Sequence, residues 1–230
     1  MPLAKRRSAP APKPAPPKPR RGRRLAAADR EQEILAGAIR YFAEVGFGGQ
    51  TRKLAERLGI TQPLLYRYFP TKRHLIERVF AEVFLKRVDP GWGDLIHDRS
   101  RPLADRLLEF YQRYSRATYT YEWIRIYMFS ALMGNNINRR YIKIVEARIL
   151  EPICAELRHA CDLPGPDAVP IGELELEHAW VMHGGLFYYA VRKYIYHSRV
   201  GGDFAAIVRR SVAAMIAGIR AIGLPGGSAS

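Results

Sequence analysis

The stretch GITQPLLYRYFPTK, residues 59–72, decides how this chain is read. Gly59 closes one helical pattern, Thr61 opens a second, and Pro70-Thr71 opens a third. Glycine suits the left-handed residue that ends a helix. Threonine offers its hydroxyl to the first unpaired N–H groups of the next one. Pro63 falls in the first turn, where a missing N–H is harmless. At 100° per residue, Leu65 and Phe69 share one side and are expected to be buried. Pro63, Leu64 and Arg67 face the opposite way, with Tyr66 and Tyr68 on the flanks. An exposed face of that composition does not match a solvated surface helix. It fits a surface that meets another molecule.

Upstream, Asp29 followed by Gln32 reads as a capping box. Ile34, Leu35, Ala38, Ile39 and Phe42 then recur at helical spacing. Gly46 ends that helix and Phe47 folds back on it. Thr51 is read as the cap of a short helix with Leu54, Ala55 and Leu58 inward, stopped by Gly59. Two short helices with a tight turn between them, over residues 50–69, make a helix-turn-helix. Its chemistry suits a DNA major groove. Gln62 and Arg67 can hydrogen-bond base edges, and Pro63 and Leu64 can press on thymine methyls. The hydroxyls of Tyr66 and Tyr68 are expected to reach phosphates, which fix register without reading sequence. Thr51, Arg52 and Lys53 open the first helix, Thr61 opens the second and Lys72 opens the next. Each is a further candidate for the DNA surface.

These residues carry a resemblance. The run ILAGAIRYFAEVGF, then QTRKLAERLGITQPLLYRYFPTKRHLI, resembles the N-terminal domain of TetR-type transcriptional repressors from about Ala27 to Arg87. The family usually has one more residue between the Gly-aromatic pair and the second helix; here Gln50-Thr51 stands alone. The resemblance implies an all-α protein. A three-helix DNA-binding domain, residues 27–87, would be joined by a linking helix to a helical effector-binding and dimerisation domain, residues 88–230. It also implies a homodimer on a double-stranded operator, released by a small-molecule effector, with no cofactor.

The flanks are read from composition. Residues 1–26 hold nine Lys and Arg and no acid, out of a net charge of +15, with alternating Pro and Ala. Such a segment cannot bury enough apolar surface to order itself, and reads as a disordered basic arm drawn to polyanions. Leu75, Ile76, Val79, Phe80, Val83 and Phe84 form one stripe of a fourth helix. Beyond a boundary at Asp89-Pro90-Gly91, helical periodicity returns near 101–118, 121–133, 138–161, 173–198 and 203–222. Gly134-Asn135-Asn136 is one separator. Pro152 predicts a kink or break inside the third of these segments.

The last two helices are the dimer candidates, through Phe204, Ile207, Val208, Ala214, Met215, Gly218 and Ile219. The alternative is that the same faces close the monomer's own core. Effector candidates are Tyr111, Tyr114, Trp123, Tyr127, Trp180, His183 and Phe187, with Phe129 and Met133, since aromatic walls with a few polar tips suit a flat apolar ligand. Catalysis is not expected: there is no nucleophile elbow, phosphate loop or dinucleotide fingerprint. His178 and His183 are out of phase for a metal pair. Cys154 and Cys161 would lie roughly 10 Å apart along a helix, too far for a disulfide. With no secretory signal and no membrane span, a cytoplasmic, nucleoid-associated protein is expected. The rival reading is a protein that coats DNA without sequence preference.

Overall fold

The computed structural model describes residues 27–133 and 137–223, and every regular element in them is helical. The basic arm and the Gly134–Asn136 separator lie outside the described residues. The helices are α1 (Ala27–Val45), α2 (Thr51–Arg57), α3 (Gln62–Tyr68), α4 (Lys72–Val83), α5 (Trp92–His97), α6 (Leu103–Thr118), α7 (Tyr121–Leu132), α8 (Ile137–Val145), α9 (Glu151–Ala160), α10 (Glu173–Tyr194) and α11 (Phe204–Ile222). None is long and apolar enough to cross a membrane.

The helix stops follow the local chemistry. Gly46 has φ +74° and its N–H donates to Phe42 O at 2.9 Å, and Phe47 is buried edge-on against the Phe42 ring. Gly59, at φ +63°, closes α2 with the two bonds of a Schellman motif. They run from Ile60 N to Ala55 O at 3.0 Å and from Gly59 N to Glu56 O at 3.1 Å. A side chain at Gly59 would have to hold a left-handed backbone. Asp203 caps α11, accepting from Ala205 N at 3.0 Å. Asp29, in contrast, lies inside the first turn of α1 rather than at its cap. Its charge there meets the positive end of the helix.

Pro152 produces no break. Helix continues from α8 into α9 through a π-helical stretch, Glu146–Leu150, immediately before the proline. The wider i→i+5 spacing relieves the clash that the ring would make in an α-helix and needs no N–H from Pro152.

One apolar cluster runs from Ile34 in α1 to Ile219 in α11, so the N-terminal helices and the larger helical body share a continuous core. Two arginines fasten the joint. Arg125 of α7 donates to the carbonyls of Ala43 and Glu44, the unpaired end of α1, and Arg140 of α8 pairs with Glu77 of α4 at 2.9 Å over the Phe80 ring. A cation at a helix C-terminus satisfies orphan carbonyls and meets the negative dipole end.

Two buried ion networks hold the body. Glu156 of α9 has no exposed side-chain surface and accepts from Arg106 at 2.9 Å, Arg99 at 2.9 Å and His97 at 3.2 Å. Burial alone would push its carboxyl up, but the hydrogen bonds from Arg99, Arg106 and His97 outweigh it and hold Glu156 at about 2. Arg158, also buried, pairs with Glu175 at 2.6 Å and donates to the carbonyls of Pro164, Val169 and Pro170. It thereby shapes the loop between α9 and α10.

Candidate nucleic-acid interface

α3 is anchored by Leu65 and Phe69, each 1% exposed. Burying side chains of that size contributes about 1.5–3 kcal/mol apiece. Its ends are set by hydroxyls: Thr61 accepts from Leu64 N at 3.3 Å, and Thr71 accepts from His74 N at 3.0 Å at the start of α4. The opposite face presents Pro63 and Arg67 exposed, with Gln62 and Leu64 half-exposed. Among the described residues Arg67 has no carboxylate partner. Arg52 and Lys53 are exposed in the first turn of α2, Arg52 bonded to Glu56 at 3.2 Å, and Lys72 is half-buried at the start of α4.

One expected role changes, and the two tyrosines are held by their neighbours. Thr51 does not cap α2: the cap position is Gln50, which makes no side-chain bond, and Thr51 is the first helical residue and buried. Its hydroxyl sits 2.9 Å from the Tyr66 hydroxyl and accepts from Gln62 Nε2 at 3.2 Å. Tyr66 is therefore tied to α2, and Thr51 is a brace between the two helices. Tyr68 is half-buried against the core. These bonds depend on how α2 crosses α3, and no local sequence signal announces them. The close approach of α1 to α2 is visible at Gly37, where a Cβ would stand 2.2 Å from Leu58 Cδ2.

Residues 34–79 match the family model of bacterial regulatory proteins of the tetR family. The N-terminal domain is of the TetR type. It is 36% identical over 86 residues to the tetracycline repressor protein class A from transposon 1721 of Escherichia coli, covering 34% of this chain and 39% of that protein. Against the class D tetracycline repressor protein of Escherichia coli the figures are 35% over 81 residues, 35% and 33%. The chain thus spans less than two-fifths of the length of these curated relatives. The whole fold resembles a tetR-family transcriptional regulator from Streptomyces coelicolor, with a TM-score of 0.55 at 20% identity, covering 86% of this chain and 84% of the other. It also resembles a TetR-family regulator from Pseudomonas syringae pv. tomato, with a TM-score of 0.54 at 15% identity, covering 84% and 97%.

Behind this TetR-type domain, the larger body holds a partly open cavity of about 60 Å³. Tyr114, Trp123, Tyr127, Trp180, His183 and Phe187, all candidates from the sequence, line it. Tyr111 stands one layer out, its hydroxyl 3.4 Å from His183 Nδ1. Phe129 instead packs on Gly46, and Met133 is half-exposed. Sequence reasoning misses Tyr141: it joins the wall from α8, bonded to the Tyr114 hydroxyl at 3.1 Å, in a segment whose arginines and lysine read as surface. The Trp123 indole N–H is buried and has no hydrogen-bond partner among the described residues.

Burial pushes the Tyr114, Tyr127 and Tyr141 hydroxyls up, so they stay neutral, and holds His183 down to about 4. A histidine whose folded value lies below its ordinary 6.5 is charged more readily when unfolded. Its contribution to stability is therefore lost as pH falls from 6.5 toward 4. His183→Gln is expected to remove that slope, at most about 1.4 kcal/mol per pH unit. Urea titrations of both proteins across this window measure it.

The dimer candidates divide. Val208, Met215 and Ile219 are buried against the protein's own helices, chiefly α6, so the self-contained core reading holds for them. Phe204, Ile207 and Gly218 are half-buried and Ala214 is exposed. α10 leaves apolar surface open, with Leu174, Val181 and Tyr188 each at least half exposed.

Proposed function

We propose that the protein is a sequence-specific, DNA-binding transcriptional regulator, working as a homodimeric repressor that a small molecule releases from its operator. The observation that carries the reading is the outward face of α3. Exposed Pro63 and Arg67, beside Gln62 and Leu64, stand on a helix fixed from behind by Leu65, Phe69 and the Thr51–Tyr66 brace. Residues 27–87 would hold the operator, with Arg52, Lys53, Thr61 and Lys72 as further contacts, and residues 88–230 would sense the effector.

Release has a physical route. Phe84, at the C-terminal end of α4, packs 5.2 Å from the Trp123 ring, 5.5 Å from Tyr141 and 6.2 Å from Tyr127. Those three rings are walls of the cavity. Small-molecule sites usually need about 300–1,000 Å³, so an effector must push the walls apart. The displacement bears directly on Phe84, and α4 follows α3 after only three residues. The tetracycline of the relatives' names does not carry over, because the match covers about a third of each chain.

For the dimer we favour the open faces over the buried one. Leu174, Val181 and Tyr188 recur every seven residues on α10, and Ala206, Ala213 and Ala217 are exposed on α11. Side chains seven apart share a helix face, and small residues allow close approach across a two-fold axis.

The test is selection of bound duplexes from random DNA, followed by Arg67→Ala on the selected site. The variant is expected to lose about 1–3 kcal/mol of discrimination at one half-site position. A uniform loss on every sequence would reassign Arg67 to phosphate.

A further inference from the structure

A second concavity, of about 410 Å³, opens between the C-terminal ends of α6 and α10 and the start of α11. Tyr119, Tyr189, Tyr194 and Phe204 supply aromatic walls, and Arg116 and Lys193 stand at its rim. Both cations are exposed, and among the described residues neither is paired with a carboxylate. No acid lines the groove. The nearest in sequence, Asp203, is engaged as the cap of α11.

Two exposed cations and four aromatic rings describe the complement of a flat, apolar anion. We infer that this groove binds an aromatic carboxylate, its charge held by Arg116 and Lys193 and its ring against Tyr189 and Phe204.

The site is distinct from the inner cavity but shares a wall with it. The Tyr119 ring lies 5.7 Å from Tyr114 and 6.3 Å from Phe187, both of which face the cavity. The groove also touches the linking segment: Arg87 donates to groove-lining Thr120 at 3.1 Å and to Ala117 O at 2.8 Å. Any effect of this ligand on DNA affinity rests on the function proposed above, whereas the binding itself does not.

Isothermal titration of 2-naphthoate and neutral 2-naphthamide into the full chain at pH 7.5 tests it. Wild type should prefer the anion by roughly tenfold or more, as for loss of a charge-assisted bond. Arg116→Ala/Lys193→Ala should remove that preference while leaving naphthamide binding unchanged. Trp123→Phe in the inner cavity should leave 2-naphthoate affinity unchanged. Equal affinities for the two ligands, no binding to wild type, or loss in Trp123→Phe but not in the double variant would overturn the assignment.

Discussion

Glu156→Ala is expected to destabilise the protein by about 3–5 kcal/mol, enough to leave a domain of ordinary stability partly unfolded. Arg106 is 3% exposed, and removal of its carboxylate leaves a buried cation with only the carbonyls of Ile96 and Arg101. Arg99 and His97 reach the same carboxylate from the surface, each about half exposed, and can turn to water instead. Arg99→Ala should therefore cost far less. Urea denaturation at pH 7 separates the cases, and equal losses would mean that the network is not organised around the buried pair. The folded carboxyl titrates at about 2, below its ordinary 4.5. Its contribution is complete above 4.5 and disappears as pH falls toward 2. The wild type should thus lose stability in two acid steps, His183 first and Glu156 second, and Glu156→Gln should lack the second.

Deletion of residues 1–26 is expected to weaken binding to operator and to random DNA by similar factors and to flatten the salt dependence. The segment contributes nine cations per chain and no acid. Every phosphate that the arm neutralises steepens the fall of log affinity with log salt by about 0.9, so removing three such phosphates per arm of a dimer would flatten it by roughly 5. Anisotropy titrations over a salt series measure the slope. A changed base preference with the slope intact would mean that the arm reads the minor groove instead.

Most of the helical framework was legible in the sequence, because its punctuation is local. Gly46 with Phe47, Gly59, Thr61 and Thr71 act within five residues of themselves, and each ends or opens a helix as read. The side-chain contacts that no local signal announced depend on distant partners. Thr51 and Tyr66 meet across two helices, and Glu156 meets Arg106 fifty residues away. Apolar periodicity in α11 announced a buried face correctly but carried no information on what covers it. Val208, Met215 and Ile219 face the protein's own core. Pro152 announced a disturbance, yet its form, a π-helical stretch rather than a break, depends on how a continuous helix relaxes around the ring. Around the cavity, aromatic residues in apolar runs were legible, while Tyr141, embedded among basic residues, was not.

The reading of α3 as a sequence-reading helix is tested most directly by one ratio. The affinity of the full chain for its selected duplex is compared with that for a scrambled duplex of equal length, at one fixed physiological salt concentration. The account predicts a preference of roughly a thousandfold or more. Near-equal affinities, both falling steeply with salt, would contradict it and make the chain a coating protein that holds DNA by its charge.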